Sequence, residues 1–95
     1  MATILIPTPL RQFADNQSKV SIEGNDVSGV IDNLISKHPQ LKKHLLDGTG
    51  AIRSFVNVFV DQDDIKGLYN LQTQVGILSI ISIVPAIAGG LYKDR

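Results

Sequence analysis

Phe55-Val56-Asn57-Val58-Phe59-Val60 is the stretch on which the reading of the fold turns. All but Asn57 are β-branched or aromatic, the types that suit a pleated and partly buried surface, so the segment reads as a strand. Its apolar side chains alternate toward both faces, which places it at the centre of a sheet. Downstream, Asp61-Gln62-Asp63-Asp64 turns the chain, Ile65 to Leu71 makes a short irregular return, and Ile77 to Val84 reads as a last long strand.

Upstream, Ala2 to Ile6 is a short apolar run stopped by Pro7 and Pro9, as at the end of a strand. Lys19-Val20-Ser21-Ile22 alternates polar and apolar, and Asp15-Asn16-Gln17-Ser18 can turn it back antiparallel to the first. The period then changes. Val27, Val30, Ile31, Leu34 and Ile35 fall three and four apart, one stripe of an amphipathic helix, with Asn25 or Asp26 as its cap and Pro39 as its stop. Leu41, Leu45 and Leu46 suggest a second short helical piece closed by the loop Asp47-Gly48-Thr49-Gly50. The order β-β-α-β-(β)-β, without repeats, calls for an α+β domain with one main helix on one face of a mixed sheet of four to five strands.

Composition narrows the function. Ninety-five residues suit one core, and nine basic against nine acidic side chains lack the basic excess that nucleic-acid binding needs. No cysteine is present, which excludes disulfides, thiolate metal sites and thiol nucleophiles and fits a reducing, cytoplasmic setting. The first seven residues carry neither a basic region nor a cleavage site, so no signal peptide is expected and the sequon at Asn16 is read as unused. The charge-free stretch between Lys66 and Lys93 is interrupted by Ser79, Ser82, Pro85 and Gly89-Gly90, short of the roughly 20 apolar residues of a spanning helix. A membrane role is not expected.

Chemistry within the chain is sparse. His38 and His44 are six apart with Pro39 between them, so they are read as surface or helix-end residues and not as a metal pair. Gly48-Thr49-Gly50 lacks the further glycine and lysine of a phosphate cradle. Asp61, Asp63 and Asp64 begin like a calcium loop, but Lys66 stands where that loop needs glycine. No acid–base pair in a pocket is apparent, no metal site is expected, and the chain is not expected to be an enzyme in its own right.

The informative end is Ser82-Ile83-Val84-Pro85-Ala86-Ile87-Ala88-Gly89-Gly90. A strand stops at a proline and becomes a small, uncharged tail ending in two glycines, whose lack of side-chain bulk lets backbone enter a narrow channel in another protein. This end resembles the ThiS/MoaD family of sulfur carriers. Arg53 to Ile65, followed by Gly67-Leu68 and Leu71-Gln72-Thr73, is similar to the branch serving cysteine biosynthesis, and Ile6-Pro7-Thr8 with Leu10-Arg11 extends the likeness over essentially the whole chain.

The resemblance implies a ubiquitin-like β-grasp fold over residues 1–90 and no cofactor bound by the chain itself. It implies that a ubiquitin-activating-enzyme-like adenylyltransferase uses ATP to convert the Gly90 carboxylate, beside Gly89, to an adenylate that a sulfur donor turns into a thiocarboxylate. A synthase for cysteine, molybdopterin or thiamine then accepts the sulfur, cysteine being preferred. Val84 is carried over as the docking hydrophobe, with Pro85, Ala86, Ile87 and Ala88 as the leash entering the partner. Alternatives are a ubiquitin-like modifier conjugated through Gly90 and a non-covalent adaptor.

Two departures from the family pattern matter. Leu91-Tyr92-Lys93-Asp94-Arg95 follow Gly90, locking its carboxyl in a peptide bond, so residues 91–95 are expected to be removed by a metal-dependent, isopeptidase-like protease. Leu78-Ser79-Ile80 also stands where members of the family carry a polar Gly-Asp-Glu turn, so Gly76 is expected to make the bend and an uncovered aliphatic patch to result.

Overall fold

The computed structural model describes residues 1–85. Strand β1 (Ala2–Leu5) pairs antiparallel with β2 (Lys19–Ile22), Ile4 opposite Val20. Helix α1 (Val27–Lys37) crosses to the short α2 (Lys42–Leu45), and β3 (Val56–Val60) turns through Asp61 into the two-residue β4 (Asp63–Asp64). The last strand, β5 (Ile80–Pro85), runs parallel to β1 and antiparallel to β3, giving the order β2-β1-β5-β3-β4. Thus β5 holds the middle of the sheet and β3 lies beside it. The α+β reading stands.

One face of the sheet makes the core. Ala2, Ile4, Val20, Ile22, Val56, Val58, Val60, Ile81 and Ile83 alternate inward and meet Val27, Val30, Ile31 and Leu34 of α1. Alternation therefore leaves β3 one-sided, since Asn57 and Phe59 stay half-buried on the other face. The expectation of apolar burial on both faces is corrected because no layer among the described residues covers the sheet opposite α1. Asp26 is the cap of α1, its Oδ1 accepting from Gly29 N at 2.8 Å, and the helix ends at His38 ahead of Pro39.

Three local features differ from the sequence reading. Pro7 and Pro9 end β1 but also open a 3₁₀ turn, Thr8–Phe13, because proline suits a helical first turn as well as a strand end. Ile77 and Leu78 are not in β5. They sit in a turn closed by Ser79 N to Gly76 O at 3.1 Å and Gly76 N to Ser79 Oγ at 2.8 Å, so Gly76 makes the bend as expected. His38 is helix-terminal but not on the surface, being 6% exposed.

The connection between β1 and β2 returns through Asp15 and Asn16, both left-handed at φ 55° and 60°, a conformation these two residue types tolerate. The segment after β4 is fastened to the start of α1 by Val27 N to Thr73 O and Val75 N to Asn25 O, each 3.0 Å. Among the described residues no helix is long and apolar enough to cross a membrane.

Candidate functional site at the exit of the last strand

The site is built by the register around β5. The strand's outward residues are Ile80, Ser82 and Val84, on the face that α1 does not cover. On one side β1 brings Leu5 opposite Ser82, and on the other β3 brings Phe59 opposite Ser82 and Asn57 opposite Val84. Val84 is 44% exposed, and Leu5 and Ile80 are exposed with it. Lys66 Nζ donates to Asn57 Oδ1 at 2.9 Å, setting a cation at the margin of this face. The result is an open apolar strip with a charged edge.

At the top of the strip Pro85 closes the ladder opposite Val56. It lies between two depressions. One, of about 350 Å³, is walled by Pro7, Thr8, Pro9, Ile83 and Val84. The other, of about 250 Å³, is walled by Leu10, Phe13, His44 and Phe55, with Pro9 and Pro85 shared. The prolines rigidify the rim, because each fixes its own φ and constrains the residue before it. Pro85 itself is buried, so within the described chain it serves as a wall, and Val84 is the exposed residue at the exit. Ala86, Ile87, Ala88, Gly89 and Gly90 lie outside the described residues, as does the extension 91–95.

His44 stacks on Phe13 with ring centroids 4.3 Å apart and an interplanar angle of 22°. Its Nε2 is shielded from solvent and has no hydrogen-bond partner among the described residues. Burial, assisted by Lys43 and Arg53, holds its pKa below the usual histidine range, so the ring beside the exit is neutral near pH 7. Among the described residues no group of three His, Cys, Asp or Glu side chains could hold a metal ion. Asp64 caps the next turn through Lys66 N at 2.9 Å, and Asp61 Oδ1 accepts from Ile80 N at 3.2 Å, so the acidic turn works structurally.

Of the residues named from sequence, Val84 and Pro85 are placed together at the exit. The sequence reading missed Leu5, Phe59 and Ile80 as companions of Val84, and the Phe13–His44–Phe55 wall. The period of two along β5 would have found Ile80. The others need the register. The aliphatic patch expected near residues 78–80 is present, with Ile77 76% and Leu78 87% exposed.

Comparison with known proteins matches residues 4–90 to the model of the ThiS family. The sulfur carrier protein CysO of Mycobacterium tuberculosis is 32% identical over 90 residues, covering 93% of this chain and 97% of its own. Among solved structures, a chain of the Amycolatopsis orientalis BexX/CysO complex superposes with a TM-score of 0.87 at 31% identity, covering 95% of this chain and all of its own (100%). Crystalline CysO from M. tuberculosis gives 0.85 at 29% identity, covering 92% and 100%.

Proposed function

The chain belongs to the ThiS family, and we propose that it carries sulfur on the carboxylate of Gly90 once residues 91–95 have been removed. The observation that carries this reading is the extent of the family match, which runs through the fold and stops on Gly90, the second glycine of the pair. Likeness to the CysO carriers over nearly the whole of both chains supports the same reading, and favours cysteine biosynthesis as the destination of the sulfur.

A metal-dependent protease hydrolyses the Gly90–Leu91 peptide bond and frees a carboxylate. In the activating partner an oxygen of that carboxylate attacks the α-phosphorus of ATP, and pyrophosphate leaves. A sulfur nucleophile at the oxidation level of sulfide attacks the acyl carbon, AMP leaves, and a thiocarboxylate remains for the accepting synthase. Glycine favours each attack because no side chain shields the carbonyl. This chain contributes the docking strip around Val84, the rigid proline-walled exit and the leash of residues 86–90. It is a protein substrate, and the partner supplies the catalysis. The relative crystallised as a complex with BexX supports a separate partner protein for this chain also.

Coexpression with an activating enzyme and a trimming protease, followed by intact mass measurement, tests the proposal. The expected product ends at Gly90 and shows the mass gain of sulfur for oxygen. A protein that is never trimmed and never gains sulfur contradicts the proposal, and a ladder of larger covalent conjugates would make it a modifier instead.

A further inference from the structure

On the helix side of the sheet a hollow remains beside the buried residues of β3. The hollow is a cavity of about 280 Å³ with Ile52, Val56, Val58, Ile65 and Leu71 in its walls, together with the cations Arg53 and Lys66. Arg53 also lines the adjoining groove of about 380 Å³, which contains Lys42, Lys43 and Asp47. An apolar hole thus opens directly onto a cationic track.

The track carries three cations against the one carboxylate of Asp47, so it is net positive. Among the described residues the one ion pair within 4.0 Å is His38 with Asp15, so Lys42, Lys43 and Arg53 form no close ion pair, although the Thr49 hydroxyl and, more weakly, nearby Arg53 hold the pKa of Asp47 below the usual carboxylate range. Asp47 is committed to its own loop, its Oδ1 accepting from Thr49 N at 2.8 Å, Thr49 Oγ1 at 2.6 Å and Ala51 N at 3.2 Å. Arg53 Nε donates to Lys43 O at 2.8 Å, which fixes the guanidinium at the junction and leaves its other nitrogens for a ligand. The whole chain is neutral, yet Asp61, Asp63 and Asp64 sit at the opposite end of β3.

We propose that this bipartite groove binds an extended acidic segment of a partner protein, with one leucine- or phenylalanine-sized side chain in the cavity and following carboxylates on Arg53, Lys43 and Lys42. Charge complementarity selects the carboxylates, and the apolar walls select a side chain over a phosphate backbone. The cavity is also smaller than the roughly 300–1,000 Å³ usual for small-molecule sites. The cavity meets the margin of the open face at Lys66, and Arg53 lies over the Phe55 ring of the exit wall at 6.0 Å, so such a partner would sit beside the exit.

The test is an amide-resolved NMR titration with the peptide acetyl-Gly-Leu-Glu-Glu-Glu-Gly-amide and its Gln-for-Glu counterpart. Saturable shifts at Ile52, Val58 and Leu71 are expected, with binding about fivefold weaker for the Gln peptide, the effect of a few exposed ion pairs. The same loss is expected for K43E/R53E, or for K42E/K43E should the first variant melt below wild type. Absence of saturable shifts at millimolar peptide, equal binding of the two peptides, or shifts confined to the Leu5–Val84 face would each overturn the proposal.

Discussion

Gly24 and Asp26 fix the start of α1 through different constraints. A Cβ on Gly24 would lie 2.5 Å from Val30 Cγ2 and 2.7 Å from Val30 N, with φ at 156°, so Gly24→Ala is expected to lose about 1–3 kcal/mol through overpacking. Asp26→Ala removes the cap to Gly29 and should lose about 1 kcal/mol, both read from urea unfolding midpoints. His44 adds a pH dependence of definite sign. Its folded pKa lies below the ordinary 6.5, so the unfolded chain takes up the proton first as the pH falls. Its stabilising share is therefore present above that ordinary value and lost as pH drops through the folded one. The melting temperature should fall between about pH 7.5 and about pH 5, and H44Q should flatten that slope. An unchanged slope in the variant would remove His44 from the account.

The strands differ in how much of them could be seen beforehand. In β1, β2 and α1 the periodicity, caps and breakers agree, and the structure follows them. At β5 they do not, because Ile77 and Leu78 have strand-like side chains but occupy a turn held by Gly76 and Ser79. An aliphatic run broken only by Ser79 and Ser82 carries no clear mark of where pairing begins. The 3₁₀ turn at Thr8–Phe13 was hidden for a related reason, since proline signals a strand end and a helical start alike. Val84 could be placed on the site by likeness to a family, whereas Leu5, Phe59 and His44 join it only through pairing and packing between distant segments. Position within β5 predicts opposite responses for adjacent rows. Ile81, 0% exposed, should lose about 2–5 kcal/mol on change to Ala. Val84→Asp should lose about 1 kcal/mol, the span of strand propensity, less than Ile81→Ala, while slowing activation by the proposed adenylating partner, measured as ATP-dependent pyrophosphate exchange.

As a whole the molecule is a rigid holder for a strand end. The middle strand of the sheet runs to Pro85 between two depressions walled by proline and aromatic side chains, and the open face beside it exposes an apolar strip. In the proposed function the covalent work falls on Gly90, outside the described residues, and removal of the extension after it decides when that work can begin. Reconstitution with purified activating partner, ATP and sulfide, comparing residues 1–90 with the full chain, separates these roles. The account predicts that the shorter protein acquires an alkylatable thiocarboxylate and the full chain acquires none. Equal sulfuration of both, or of neither under conditions that charge a CysO carrier, would contradict it.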